Sequence, residues 1–255
     1  ITNFNKEKYI EKCILSCLNQ DYKNLEIIIF DNESSDNSDE IIKKYSDKLI
    51  YKRKKRISGF SPKNQIDILI EGFKISSGEI VCLLDGDDFF FPEKINKIDG
   101  IFKQNPNLDV IFDTPYIDKN KKLVPLKIKK KMNKYIWPTI IPTSGISLRR
   151  SFFEKCIKFD LFKDFNMIEI DLRINFYSQK IKQNYKICYD CLTFYRQVND
   201  GIMSKIKTYS YKWWCKRLDA HNFIEKIYKS QNIFYKKNLD YYFTRLFVGV
   251  LKKFY

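Results

Sequence analysis

Three short runs constrain this chain more than any other feature: "LEIIIF" (25–30), "EIVCLL" (79–84) and "LDVIFDT" (108–114). Each is almost continuously apolar and rich in β-branched residues. A strand with one wet face would alternate, so these runs predict strands covered on both faces. Stretches of helical period lie between them. "NKEKYIEKCILSCLNQ" carries apolar residues at 10, 13, 14, 17 and 18, with Asn5 as its candidate N-cap. "NSDEIIKKY", "PKNQIDILIEGFKIS" and "PEKINKIDGIFKQN" predict further helices, the last two opening with Pro62 and Pro92 in the first turn. "LIYKRK" predicts another strand. Strand and helix in turn predict an α/β fold with a mostly parallel central sheet and helices on both faces. Ligands of such sheets bind beyond the carboxyl ends of the strands.

Beyond residue 114 the pattern changes. "YIDKNKKLVPLKIKKK" predicts a hairpin with a basic arm. "SLRRSFFEKCIK" and "DFNMIEIDLRINFYSQ" predict helices, "YKICYDCLTFYRQ" predicts strand, and the chain from 208 onward predicts helix. The expected organisation is a ligand-binding body over 1–204, in halves 1–114 and 115–204, followed by a basic amphipathic region over 205–255.

The seven cysteines are odd in number and lack the spacing of a disulfide framework, which predicts a reducing compartment, the cytoplasm. Cys188 and Cys191 form a CxxC pair, but a zinc site needs two more ligands and the single histidine is His221. Both cysteines, and His221, are expected to be ordinary packed residues. The formal charge of +16 would suit nucleic acid, an anionic membrane or phosphorylated ligands. It is concentrated: residues 205–255 hold 12 Lys/Arg against 3 Asp/Glu. No apolar run reaches the ~20 residues of a membrane span, and no secretion signal is present. The chain opens "ITNFN" without an initiator Met, which leaves its true start open.

Carboxylates follow the two best strands. Asp31 ends "LEIIIF", and Asp85, Asp87 and Asp88 end "EIVCLL" in "LLDGDDFFFPEK". In a parallel sheet both groups open on the same edge. Like charges crowded beside an apolar interior repel and are poorly solvated. A hard divalent cation, with substrate phosphates completing its shell, would relieve that repulsion. The plain alternative is a polar turn that leads into the helix at Pro92.

The block "LLDGDDFFFPEK" resembles the D-x-D-D…P-x-K/R signature of family 2 glycosyltransferases. "ITNFNKEKYIEKCILSCLNQDYKNLEIIIFDNESSDNS" resembles that family's opening block, "GFSPKNQ" its glycine-then-basic segment, and "PTSGISLRRSFFEK" its mid-chain acceptor-side block. These four blocks stand in the family's order over roughly residues 1–200. The resemblance implies a GT-A fold and an inverting transfer of sugar from a nucleotide-diphosphate sugar, a UDP-sugar first among them. It implies donor contacts from Thr2 and Phe4, base and ribose contacts from Asp31 and Asn32, and ribose contact from Asp85 or Asp87. It implies Mn2+ or Mg2+ held by Asp87 and Asp88 against the diphosphate. Lys63, with Arg53 and Lys54, would add positive charge at the leaving group. The catalytic base would come from "MIEIDLRINFY": Asp171 first, Glu169 second. A helix would point these two in different directions. The plain reading of Asp171 is a pair with Arg173 or Lys182.

Three departures from the family pattern stand out. Asn32 replaces the second aspartate of the donor turn. Val198 replaces a histidine in "YRQVNDGIMS". The first strand is cut to Ile1. The acceptor implied is a glycan or lipid-linked glycan of a bacterial surface polymer. "NLDYYFTRLFVGVLKKFY" places Leu239, Tyr242, Phe243, Leu246, Phe247, Val250, Leu251 and Phe254 at helical spacing, flanked by Lys236, Lys237, Arg245, Lys252 and Lys253. With Trp213 and Trp214 upstream, this stretch suits either packing on the body or on a second copy, or the interface of an anionic membrane at the cytoplasmic face. Two other readings were weighed. A sugar-nucleotide nucleotidyltransferase would carry a Gly-rich phosphate loop, which "TNFNKEKYIEK" lacks. A nucleic-acid-binding protein would need cations rather than carboxylates along the binding edge. No nucleic-acid partner is therefore expected, and an oligomer is left open.

Overall fold

The computed structural model describes residues 1–119, 122–128, 136–197 and 206–254. In chain order the first half runs β1 (Thr2–Asn3), α1 (Ile10–Leu18), β2 (Ile28–Asp31), α2 (Ser38–Lys43), β3 (Ile50–Arg53), α3 (Ser61–Ile75), β4 (Ile80–Cys82), β5 (Phe89–Phe90), α4 (Lys94–Gln104) and β6 (Val110–Asp113). The second half runs β7 (Tyr116–Lys119), β8 (Lys122–Pro125), β9 (Ile146–Arg149), α5 (Arg150–Lys158), α6 (Ile170–Phe176), β10 (Tyr185–Cys188), β11 (Thr193–Phe194), α7 (Tyr211–Ser230) and α8 (Leu239–Leu251).

The sheet has two parts. β1, β2 and β3 are parallel, and the order β10-β6-β9-β4 stands beside them. A parallel bridge from Thr2 to Asp85 joins the parts, giving β3-β2-β1-β4-β9-β6-β10. β9 alone runs antiparallel to its neighbours β4 and β6 in this layer. A small sheet, β5-β11-β7-β8, stands apart from it. The three runs that predicted buried strands supply β2, β4 and β6, and Val110, Ile111 and Phe112 are fully buried. α3, α5, α6 and α7 pack the largest apolar cluster, through Ile66, Phe152, Phe176 and Phe223. α1 and α2 pack a second cluster through Ile10, Ile14 and Ile42.

Several local expectations are corrected. Asn5 does not cap α1, which begins at Ile10. Instead Asn5 adopts a left-handed backbone (φ 51°), and its Oδ1 accepts from the Ser35 amide at 2.8 Å. "SLRR" is strand rather than helix, because Ile146–Arg149 fills the gap between β4 and β6 and is paired on both sides. That tertiary pairing overrides local propensity. The helix predicted over 164–179 starts only at Ile170 and widens into a π-helical turn over 177–182. The stretch before it is held by Arg173, which is fully buried and donates to the carbonyls of Leu161, Lys163, Asp164, Phe165 and Ile168.

The expected boundary at 204/205 and the Val198 position lie outside the described residues. α7 is part of the main core through Phe223, Ile224 and Ile227. α8 docks on α7 with Tyr241 and Thr244 buried, and Asp240 binds Arg217 and the Trp137 indole. His221 is a packed residue, fully buried between Trp137 and Tyr241, with its Nε2 3.2 Å from Asp240. All seven cysteines are free. The opposite face of α8 stays apolar and exposed: Leu239, Tyr242, Phe243, Leu246 and Val250. No described helix is long and apolar enough to cross a membrane.

Candidate active site

The acidic turn follows β4 once Leu83 and Leu84 have been buried. It closes with the Asp88 amide donating to Asp85 O at 2.9 Å, while the Gly86 amide donates to Thr2 O at 2.8 Å. A Cβ at Gly86 would sit 2.6 Å from Asn3 Oδ1, so only glycine lets β1 approach this closely. Each carboxylate of the turn then has a distinct setting. Asp85 Oδ1 accepts from Thr2 Oγ1 at 2.8 Å and from Gln65 Nε2 at 2.6 Å. Asp87 Oδ2 meets the Lys6 ammonium at 2.8 Å. Asp88 is 2% exposed; its Oδ1 accepts from the Arg196 amide at 2.7 Å and its Oδ2 from Ser144 Oγ at 2.5 Å.

Ser144 links the turn to the core. Its Oγ accepts from the Asp85 amide at 3.0 Å while donating to Asp88. Its carbonyl accepts from Lys94 Nζ at 2.9 Å. Arg196 holds the other side, its Nε donating to Asp87 O at 2.9 Å and its guanidinium lying over Tyr9.

The turn after β2 faces the same edge. Asp31 is fully buried and accepts from Asn3 Nδ2, the Ser34 amide and Ser34 Oγ, with Arg53 Nε 3.6 Å away. Its oxygens hold the turn together. Asn32 is 3% exposed and donates to Lys54 O at 3.2 Å. Glu33 has a left-handed backbone (φ 64°). Phe4 is more open, with the Arg56 guanidinium 4.1 Å from its ring centre. Arg53 and Lys54 are committed to neighbours: Arg53 to Ser34 O at 2.6 Å, and Lys54 to Asp67 at 2.8 Å. Lys63 stands in the first turn of α3. The structure brings Gln65 rather than Lys63 onto the acidic turn.

The third group comes from the start of α6. Glu169 precedes the helix with extended backbone and pairs with Lys216 of α7. Asp171 lies inside the helix, half-buried, and accepts from the Leu172 amide at 2.6 Å. Glu169 is not helical, so the helical spacing expected of the two does not apply, and its charge adds to the burial that raises Asp171. Neither expected partner reaches Asp171: Arg173 is spent on carbonyls, and Lys182 lies over Phe159 and Tyr177.

Electrostatics joins the groups. Burial pushes the Asp85 carboxyl up to about 6, helped by the charge of Asp87. Burial raises Asp88 further, with Asp87 and Asp85 adding to it. Burial and then Glu169 push Asp171 up to about 7, against the Lys216 ammonium. The Tyr195 hydroxyl is raised by burial and then by Asp88, Asp171, Asp85 and Asp87 together. The turn after β4 and the start of α6 thus both contribute negative charge that Tyr195 feels.

The residues fit a divalent cation. The donors are hard carboxylate oxygens, and the raised carboxyls report negative charge without enough positive charge beside it. Among the described residues no three His, Cys, Asp or Glu side chains form a metal-holding group by themselves. A cation here would need ligand oxygens to complete its shell. Asp87 is the more available of the two expected ligands, since both oxygens of Asp88 already accept hydrogen bonds.

Sequence reasoning missed Lys6, Gln65, Lys94, Ser144, Tyr195 and Arg196. Each lies inside or beside a quoted block: Gln65 in "GFSPKNQ", Lys94 in "FFFPEK", Ser144 in "PTSG", and Tyr195 with Arg196 in "YRQ".

Comparison with known proteins agrees with this geometry. The sequence profile described as Glycosyl transferase family 2 matches residues 1–160. An uncharacterized glycosyltransferase of Nostoc sp. is 29% identical over 171 residues, covering 63% of this chain and 52% of that protein. The chain thus spans about half the length of that relative. Staphylococcus aureus TarS 1–349, solved in complex with UDP-GlcNAc, superposes with a TM-score of 0.65 at 15% identity, covering 98% of this chain and 70% of that one. The mannosyltransferase PcManGT of Pyrobaculum calidifontis, solved with GDP-Man and Mn2+, gives 0.58 at 12% identity, covering 99% and 69%. The fold is of the GT-A type that the resemblance implied.

Proposed function

Because the chain belongs to glycosyl transferase family 2, we propose that it moves a sugar from a nucleotide-diphosphate sugar to a hydroxyl of a glycan or lipid-linked glycan, with inversion at the sugar carbon. A UDP-sugar is the first donor to test, and Mn2+ or Mg2+ is the proposed cofactor. The observation that carries this reading is the acidic turn after β4, where Asp85, Asp87 and Asp88 stand together, held by Thr2, Gln65, Lys6, Ser144 and Arg196.

The roles follow from the chemistry. Bound against the diphosphate, the cation would stabilise the negative charge that grows on the leaving group. Asp87 is its proposed protein ligand, and Asp88 keeps the turn in shape through Ser144 and Arg196. Thr2 and Gln65 orient Asp85 toward the donor's ribose. Phe4 offers a face to the base, and Asn32 lines the same side. Lys63 remains a proposed diphosphate contact. Asp171 is the proposed base. A carboxylate raised to about 7 is a better proton acceptor than an ordinary one, and is still half ionised near neutrality. Glu169 is the second candidate.

Residues 1–204 are proposed as the transferase domain, in halves 1–114 and 115–204, with 205–255 as a basic helical region. The exposed apolar face of α8 and the lysines that flank it, Lys236, Lys237, Lys252 and Lys253, support contact with an anionic membrane at the cytoplasmic side, where bacterial surface glycans carried on lipid would be extended.

The test is thermal-shift screening of UDP-, GDP-, dTDP- and CMP-sugars with and without Mn2+. A ligand at 100 times its Kd stabilises by about 2.7 kcal/mol, so one donor class should raise Tm, and more so with the metal. No response to any donor would overturn the reading.

A further inference from the structure

Two buried side-chain amides do the work of a neighbouring strand. Residues 139–141 run toward the acidic turn without regular secondary structure, yet they alternate as a strand does: Thr139 and Ile141 are buried and Ile140 is 44% exposed. Gln179 Oε1 accepts from the Thr139 amide at 2.8 Å, and Gln179 Nε2 donates to Thr139 O at 2.7 Å. Asn175 Oδ1 accepts from the Ile141 amide at 3.3 Å, and Asn175 Nδ2 donates to Ile141 O at 2.8 Å. Each side chain thus exchanges both bonds with one residue, as a residue of an antiparallel neighbour would. The spacing permits it: two residues of extended chain advance about 6.6 Å, and four residues of helix about 6.0 Å. Asn175 lies in α6 and Gln179 in the π-helical turn that continues it.

Only amides serve in these two places. Asn175 Oδ1 also accepts from Gln179 Nε2 at 2.9 Å, and its Nδ2 also donates to Asp171 O at 2.8 Å. Both lone pairs and both protons of Asn175 are therefore used. A carboxylate would set oxygen against a carbonyl oxygen, and an apolar side chain would leave a buried peptide group unmatched.

The ladder reaches the rim at one end and the proposed base at the other. After Ile141 and Pro142 comes the single turn Thr143–Gly145, which presents Ser144. Gly145 packs directly on Ile141, since a Cβ there would lie 2.8 Å from Ile141 Cγ2 and 2.8 Å from Asp113 O. Ser144 Oγ then bonds the Asp85 amide and the Asp88 carboxylate. At the far end, Asn175 holds the carbonyl of Asp171 itself.

We propose that Asn175 and Gln179 are positioning residues: through Thr139 and Ile141 they place Ser144, and through Ser144 the acidic rim, at a fixed distance from Asp171. On the transferase reading, on which this inference rests, the cation site and the base are then parts of one rigid unit, clamped by two amides buried behind both.

The test uses the full chain and the metal alone. Gln179→Met keeps the length of the side chain and removes its hydrogen bonds. Ile224→Val and Ile224→Ala loosen the core at α7 and serve as controls for lost Tm. By paramagnetic resonance, Gln179→Met should bind Mn2+ about tenfold more weakly than the parent. Its Asp85 amide should also exchange faster with solvent, and the controls should show neither change. Ser144→Ala should weaken Mn2+ binding likewise, and adding Gln179→Met to it should weaken it no further, because both act through one hydroxyl. In the parent, Mg2+ should slow exchange at the Thr139 and Ile141 amides by a larger factor than at the Ile224 amide, as linked sites require. That measurement needs no variant to fold. A Gln179→Met protein that behaves as the controls do, losses that add in the double variant, or Thr139 and Ile141 amides indifferent to Mg2+ would each overturn the inference. Mn2+ and a donor that still bind the parent chain in those cases would leave the transferase reading intact, whereas a parent that binds no Mn2+ would remove the cation from both.

Discussion

Lys94 meets Asp113 at 2.6 Å with neither side chain exposed to solvent. The same ammonium donates to Ser144 O and to Thr193 Oγ1. Ser144 in turn bonds both Asp85 and Asp88, so a charge pair in the core sits directly beneath the acidic rim. Asp113 Oδ2 already lacks a hydrogen-bond partner. Lys94→Met would leave the Asp113 charge buried and unpaired, a loss of about 3–5 kcal/mol. Lys94→Met with Asp113→Leu should recover most of that loss. Urea unfolding of the three proteins checks it; a mild single-mutant effect would mean that the pair is not fully desolvated.

Asp87 and Asp88 should separate by phenotype. Asp87→Asn removes the more available oxygen and should cost activity on the order of 100-fold or more, with the Mn2+-dependent Tm shift lost and the fold intact. Asp88→Asn instead sets an amide group against two donors, Ser144 Oγ and the Arg196 amide. One buried donor is then left unmatched, and stability should fall by about 1–3 kcal/mol. Calorimetry with and without Mn2+ distinguishes them. An Asp88→Asn protein with unchanged Tm and no metal response would put Asp88 among the ligands.

Most of the sheet was legible, because continuous β-branched runs have few uses other than strands buried on both faces. β9 was not: "ISLR" has no local signal stronger than that of the helix that follows, and its pairing partners lie more than thirty residues away. The carboxylates of the site were legible as charges without solvation at a strand end. Their division of labour was not, since Asp87 and Asp88 differ only in which long-range donors reach them. Asp31 and Arg53 show the same limit: nothing local in the sequence tells that Asp31 accepts from the Ser34 amide or that Arg53 donates to the Ser34 carbonyl.

Without metal, the protein should be more stable at pH 5 than at pH 7.5. Asp85, Asp88 and Asp171 all have folded-state carboxyls raised above the unfolded value near 4, with Asp85 at about 6 and Asp171 at about 7. Between pH 4 and 7 the native state therefore binds more protons than the unfolded state, and stability falls as pH rises. His221 and the Ile1 ammonium, both lowered by burial, work the other way, against these three carboxyls and Asp219, also raised by burial. Thermal unfolding in EDTA across this range measures the slope; a stability that rises toward pH 7 would contradict the buried setting of the acidic turn.

The outer face of α8 should govern contact with lipid. Phe243 is 57% exposed and Leu246 59%, so Phe243→Glu with Leu246→Glu should leave Tm nearly unchanged. Binding to phosphatidylglycerol vesicles should fall, and binding of the parent chain should weaken with salt. Vesicle co-sedimentation reads both. Equal binding by parent and variant would direct that face to another partner.

The two charged neighbours of Asp171, Glu169 and Lys216, make opposite pH predictions. Asp171 is raised by burial and by Glu169, and lowered by Lys216, which pairs with Glu169. If Asp171 takes the acceptor's proton, it must be ionised, so kcat should rise with pH through about 7. Asp171→Asn should then lower kcat by roughly 10²–10⁴ with donor Kd little changed. Glu169→Gln removes the repelling charge and frees Lys216 to act on Asp171, so the acidic limb should move to lower pH with activity retained. Lys216→Met removes the opposing cation, and the same limb should move to higher pH. Both shifts follow from one carboxyl responding to its neighbours, and a merely structural role for Glu169 and Lys216 would move neither. An inactive Glu169→Gln protein beside an active Asp171→Asn protein would transfer the role of base to Glu169.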